Sequence, residues 1–153
     1  MLYVLIGIQA SGKSTWARAN AARLGAEIVA SDEIRNELEA AGIDATDQGD
    51  RVFAIFEQRV AQLLDAGRSV IADATHARRG WRANILAIAR ARGVRTTAVW
   101  FQAPLAVCRE RNAGKPGGRQ WGDRVVPDEV LRDMWRRFEP PGADEFDEIQ
   151  KID

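Results

Sequence analysis

Residues 7–14 read Gly-Ile-Gln-Ala-Ser-Gly-Lys-Ser and fit G-x-x-x-x-G-K-[ST] without a mismatch. The run before it, Leu2–Ile6, is continuous and apolar, as for a strand buried on both faces. The run after it, Gly12 to Leu24, predicts a helix closed by Gly25. Strand, glycine-rich loop and helix start together set backbone N–H groups and a positive dipole end around a phosphate. Glycine is needed there wherever a side chain would block the approach or φ must be positive. In such a loop Lys13 can reach the β- and γ-phosphates of a nucleoside triphosphate, and the Ser14 hydroxyl can ligate Mg²⁺. Gly7, Gln9, Ala10, Ser11, Gly12, Lys13, Ser14 and Thr15 are therefore candidate nucleotide-binding residues. ATP and Mg²⁺ are the expected ligands.

The rest of the chain alternates strand and helix. Short apolar runs predict strands at Glu27–Ala30, Ser69–Ala72 and Val94–Phe101. Helical periodicity predicts helices at Asp32–Ala41, Arg51–Ala66, Arg79–Arg92, Pro104–Arg111 and Pro127–Phe138. Residues 112–126, rich in glycine and base and without periodicity, read as a functional loop or lid. Phe146, Ile149 and Ile152 are spaced by three, which leaves the tail ambiguous between edge strand and helical turn. The expected fold is α/β: a four- to five-stranded, mainly parallel sheet with helices on both faces and a lid. Its 153 residues suit one domain, 1–153.

Composition removes several classes of chemistry. Cys108 is the only cysteine and His76 the only histidine, so an internal disulfide, a cysteine zinc site and most catalytic triads fall away. Apolar stretches are strand-sized, so no segment is expected to span a bilayer, and the N-terminus lacks the basic start of a signal peptide. A cytoplasmic protein is the expectation, with chemistry drawn from Asp, Glu, Lys, Arg and backbone.

Ligands of open α/β sheets sit beyond the carboxyl ends of the strands. After the second strand comes Ser31-Asp32-Glu33-Ile34-Arg35. Asp32 can accept a proton from an attacking hydroxyl, or serve only as a helix-start acid; Arg35, a turn later, can orient an acceptor phosphate. After the third strand comes Asp73, which can act on Mg²⁺ through water, hold the acceptor side, or cap the next turn. His76 reads as structural. Arginines between 109 and 124 can fold over a triphosphate and neutralise charge in the transition state.

The net charge of zero conceals a polarity. Residues 27–50 carry eight acids and one base; residues 68–124 carry twelve bases and three acids; residues 139–153 carry six acids and one base. Arginine dominates the basic run, and its donor fork suits phosphate. Either the run is a track for an anionic polymer, with Arg78 and Arg82 on it at the start of the helix after the third strand, or it is a set of solvated helix faces.

The run Gly7 to Arg18, ending Ser-Gly-Lys-Ser-Thr-Trp-Ala-Arg, resembles the P-loop of the phage-type polynucleotide 5′-hydroxyl kinases. The likeness continues through Ser31–Arg35, Val70–Thr75, Arg111-Asn112 and Val126–Leu131. It implies a P-loop phosphotransferase moving the γ-phosphate of ATP to the 5′-OH end of a nucleic acid. It further implies Asp32 as general base, Arg35 on the acceptor phosphate, Asp73 as a required carboxylate and Arg111 at the nucleotide. The lid looks longer than in the phage enzymes, so its catalytic arginine is assigned to Arg119, with Arg124 and Lys115 as rivals. The ending Arg136-Arg137-Phe138-Glu139-Pro140-Pro141 is similar to a broader, AAA_33-like group of small P-loop kinases, which includes seryl-tRNA(Sec) and bacterial end-healing kinases. Two other functions stay open: a small-molecule or toxin-like sugar-nucleotide kinase using the same Asp32, and a nucleotide-dependent binding module.

Overall fold

A computed structural model describes residues 1–153. Its central strand, β1 (Leu2–Ile6), lies between β3 (Ser69–Asp73) and β4 (Thr96–Phe101), with β2 (Ala26–Ala30) and β5 (Glu148–Ile152) at the edges. All four pairings are parallel; Leu2 is opposite both Val70 and Thr96. Side chains alternate across a strand, so β1 feeds two cores. Leu2, Val4 and Ile6 join the larger one, and Leu5 joins the other with Ile71, Val99 and Phe101.

Parallel neighbours need crossovers, and these cover the two faces. The first, α1 (Lys13–Leu24), seats Ala17 against Leu5 and Ile71. The opposite face takes α2 (Ser31–Ala40), α3 (Gly49–Asp65) and α4 (Arg79–Ala91). In α3, Val52, Phe56, Val60 and Leu64 recur every fourth residue and are all buried. A smaller cluster of Ile8, Ala103, Cys108 and Leu131 holds α5 (Leu105–Ala113) and α6 (Asp128–Arg136) beside the end of β4. The expected elements are all present, with bounds moved by a residue or two. No helix is long and apolar enough to cross a membrane.

The tail resolves as a parallel edge strand. Residues three apart in a strand face opposite ways, and Ile149 packs toward the larger core while Ile152 packs toward the smaller sheet-face core. The spacing that suggests a helical turn is thus two half-buried residues, one for each face.

The connection after β1 leaves on one face and the connection after β3 leaves on the other. That geometry opens a crevice beyond the carboxyl ends of these strands.

Candidate active site

The floor of the crevice is the loop from Gly7 to Gly12. A Cβ on Gly7 would stand 2.6 Å from Ser11 Oγ and 3.1 Å from Phe101 Cβ, so only glycine fits. Gly12 caps α1 at φ 104°, a left-handed conformation that glycine adopts without steric cost. Ala10 reaches φ 62° without being glycine, one local strain that the motif does not announce. The Gly7 N–H donates to Thr75 O at 3.0 Å and ties the loop to the segment after β3. Neither a side-chain cap nor a first-turn acid occupies the start of α1, so its N–H groups and dipole face the loop uncompensated.

Lys13 is buried, and its Nζ donates to Gly7 O at 3.0 Å and Ile8 O at 2.8 Å. Burial pulls its pKa down to about 8, against the opposing pull of Asp73 and Asp32. Ser11 Oγ and Gln9 Oε1 are buried without hydrogen-bond partners. A backbone cradle with a lysine and an orphaned serine hydroxyl able to donate fits a polyphosphate.

Asp73 ends β3 with 7% of its surface exposed and accepts a 2.8 Å hydrogen bond from Ser14 Oγ. Burial raises its pKa, while Lys13 and the Ser14 hydroxyl oppose the rise. No group of three or more His, Cys, Asp or Glu could cage a metal. A hydroxyl and a carboxylate beside a phosphate cradle instead fit Mg²⁺, which keeps waters and takes ligands from phosphate.

The wall of the crevice is α2. Asp32, Arg35, Asn36 and Glu39 fall at i, i+3, i+4 and i+7, one face of the helix, while Ile34 and Leu38 are buried on the other. Arg35 Nη1 donates to Asp32 Oδ1 at 3.3 Å. Its guanidinium lies 5.8 Å from the Phe53 ring centroid and 5.2 Å from that of Trp121.

Trp121 belongs to the loop 114–127, which folds onto this wall. Its backbone N–H donates to Asn36 Oδ1 at 2.7 Å, and the Arg124 guanidinium lies 4.0 Å from its ring centroid. Arg124 in turn donates to Glu39 Oε2 at 2.7 Å. A Cβ on Gly122 would stand 3.7 Å from Asp32 Oδ2. Asn112, expected to open the lid, lies instead in the last turn of α5. It closes the loop's base, with Nδ2 donating to Val126 O at 2.7 Å and Val126 N donating to Oδ1 at 2.9 Å.

The candidate cations separate clearly. Arg124 is committed to Glu39, Trp121 and Arg119 O. The Arg119 side chain is exposed and makes no hydrogen bond or ion pair. Lys115 is half-buried with its pKa lowered by burial, against the charges of Asp32 and Asp123. Arg111 extends over the P-loop, its Nη1 3.7 Å from a Cβ placed on Gly12. Thr15 is exposed at the start of α1.

The basic run is not an open track. Arg68 pairs with Glu27, Arg79 with Asp144, Arg92 with Asp65 and Arg109 with Asp128. Arg78 pairs with Glu139 at 3.6 Å and lies 5.7 Å from the Trp81 ring centroid. Arg82, expected at the start of a track, is 0% exposed. It donates to both Glu145 carboxylate oxygens at 2.8 Å and to the carbonyls of His76, Glu139 and Pro140. A fully desolvated guanidinium needs all its donors satisfied, and the acidic tail together with the His76 carbonyl supplies the acceptors. His76, at φ 45°, is buried with Nδ1 2.8 Å from Leu5 O. Burial lowers its pKa to about 4, so it is neutral near pH 7 and structural.

Sequence reasoning misses Asn36, Glu39, Phe53 and Trp121. The polar spacing along α2 is the signal that could have found the first two.

The family model for an AAA domain, AAA_33, matches residues 2–141. No curated protein matches the chain. Kti12 of Chaetomium thermophilum, solved with ADP-AlF3, is 19% identical with a TM-score of 0.80, covering 99% of this chain and 88% of its own. A gluconokinase from Sinorhizobium meliloti 1021 is 19% identical at a TM-score of 0.63, covering 99% and 81%. The Mycobacterium tuberculosis APS kinase, solved with AMPPNP and APS, is 18% identical at 0.66, covering 99% and 88%. The shared fold is that of the P-loop kinases.

Proposed function

The chain belongs to the AAA_33 family, and from that premise we propose an ATP-dependent kinase that phosphorylates the 5′-OH end of a polynucleotide. One observation carries the reading: Asp32 and Arg35 share the wall of the crevice whose floor is the P-loop. Asp32 is near enough to act on the charge of Lys13.

In this reading the acceptor hydroxyl oxygen bonds to the γ-phosphorus, the β–γ bridging bond breaks, and Asp32 takes the hydroxyl proton. Lys13 holds the charge that develops on the transferred phosphoryl, and Arg111 contacts the nucleotide. Ser14 and Asp73 would hold Mg²⁺, which would supply neutralisation of the phosphate oxygens. Arg35 receives the phosphate next to the acceptor hydroxyl, which is the feature that distinguishes a polynucleotide end from a free nucleoside. Lys115 and Arg119 are the lid cations left for the transferred group.

The pairing of the basic run limits contact to the terminal nucleotide. The acceptor KM is therefore expected to rise with salt, with a slope of log KM against log salt near +0.7 per phosphate contact, for one or two contacts. The same pairing favours a second reading, a kinase for a small hydroxyl compound. Incubation with γ-labelled ATP and a panel of 5′-OH DNA, 5′-OH RNA, nucleosides and sugars separates the two. Label on oligonucleotide ends supports the first; label on sugars or free nucleosides alone replaces it with the second.

A further inference from the structure

The lid of a P-loop kinase is read here as a cover for nucleotide, yet the side-chain contacts of loop 114–127 point elsewhere. Trp121 is bound to α2, not to the P-loop: its backbone N–H meets Asn36 Oδ1 at 2.7 Å and its carbonyl faces Asn36 Nδ2 at 3.5 Å. Its indole has two guanidinium groups near it, Arg35 at 5.2 Å and Arg124 at 4.0 Å from the ring centroid. Phe53 meets the Arg35 guanidinium at 5.8 Å. Arg35 therefore has aromatic neighbours on α3 and on the lid, and an ion pair with Asp32 at one Nη. A cation beside aromatic faces gains attraction without using its in-plane N–H donors. The donors not bonded to Asp32 remain free for an anion, in an orientation fixed before the anion arrives.

We propose that Trp121 is a positioning residue for the acceptor: by stacking on Arg35 it sets the fork that receives the phosphate beside the reactive hydroxyl. The inference rests on the acceptor role assigned to Arg35 above. Loop closure and acceptor recognition are then one event, since the loop cannot leave α2 without removing one neighbour of Arg35. Trp121 touches no reacting atom.

The test compares Trp121→Leu with Trp121→Phe. Leucine retains apolar bulk and loses the π face; phenylalanine retains the face. Two acceptors are used with each variant and with wild type: a nucleoside and the same nucleoside carrying a 3′-phosphate. Wild type is expected to prefer the 3′-phosphate. Trp121→Leu should raise KM for the phosphorylated acceptor about tenfold, between the worth of an exposed and of a desolvated cation–π contact. It should leave KM for the plain nucleoside and for ATP within about twofold, and Trp121→Phe should stay within about threefold of wild type throughout. If Trp121→Leu shifts both acceptors and ATP in step, or lowers only the melting temperature, the residue is merely structural and the inference is overturned. If Leu and Phe behave alike, it is overturned as well. If wild type phosphorylates neither acceptor, or ignores the 3′-phosphate, the polynucleotide reading itself fails and takes the inference with it.

Discussion

The floor and the lid of the crevice are built in opposite ways. Gly7, Gly12 and Lys13 lie within seven residues of one another, and their positions follow from local backbone geometry and two lysine–carbonyl bonds. The lid is held by side chains that meet their partners across 85 residues, Asn36 with Trp121 and Glu39 with Arg124. Beyond its own segment the floor needs only the ends of the strands on either side of β1, through Thr75 O and Phe101. The lid needs α2 to be formed and correctly rotated first. The ion pair of Arg124 with Glu39 is partly exposed and contributes only ~0.2–1 kcal/mol, so a lid fastened by it and by the Asn36 hydrogen bonds opens far more readily than a buried strand. A rigid phosphate site beside a releasable wall suits an enzyme that must admit and discharge two substrates.

Substitutions can break or sharpen this contrast. The largest effect is expected at the floor: Lys13→Ala should cut phosphoryl transfer by roughly 10²–10³-fold, the scale of losing one transition-state charge contact, with an unchanged circular dichroism spectrum. Full activity in a folded Lys13→Ala protein would remove the P-loop from the mechanism. Next comes the junction of wall and floor. Asp32→Asn keeps the shape and loses the proton acceptor, so single-turnover transfer should fall ~10²-fold while ATP affinity, read by calorimetry, stays near wild type. Normal transfer would reduce Asp32 to a helix-start acid.

A smaller effect comes through pH. With its pKa lowered to about 8, Lys13 loses its proton in the free protein as pH rises through that value. Phosphate favours the charged form, so nucleotide affinity should fall above pH 8, by up to about tenfold per unit, with proton uptake on binding. Stability has the opposite sign. The unfolded lysine binds more protons than the folded one between about 8 and 10.5, so its contribution to folding without nucleotide rises with pH across that window. Lys13→Met should abolish both trends, and nucleotide binding that is flat from pH 7 to 9.5 would contradict the buried, nucleotide-facing lysine. The smallest effect is expected at the lid. Arg124→Ala should change acceptor KM by only about two- to threefold, while amide exchange in residues 117–124 accelerates. A loss as large as that of Lys13→Ala would erase the distinction between the two regions.

What the sequence makes legible follows the same division. Gly7–Ser14 can be read directly because each residue answers to a constraint a few bonds away, and the strands and α3 can be read because their periodicity is local. Arg82 cannot be read, since a buried guanidinium and a solvated one look alike until Glu145 is folded against it. The same applies to Trp121: its partners at 35 and 36 are fixed only when two distant segments share a face. Charge runs mislead for a related reason. The basic and acidic stretches separate along the chain but neutralise one another in space, as Arg68 with Glu27 and Arg79 with Asp144 show.

The Arg82 cluster also bears on where this protein can be dissected. The family match closes at residue 141, and a fragment ended there would look like a natural module boundary. Yet the carboxylate that neutralises Arg82 is at 145, and the strand that completes the β4 edge begins at 148. Such a fragment would remove the carboxylate paired with Arg82 and part of the segment that covers it, and where the guanidinium stays buried the loss of its partner costs about 3–5 kcal/mol, a large share of a small domain's total stability. Shortened versions made for crystallography or tethering should retain the acidic segment, because the family boundary and the folding boundary do not coincide.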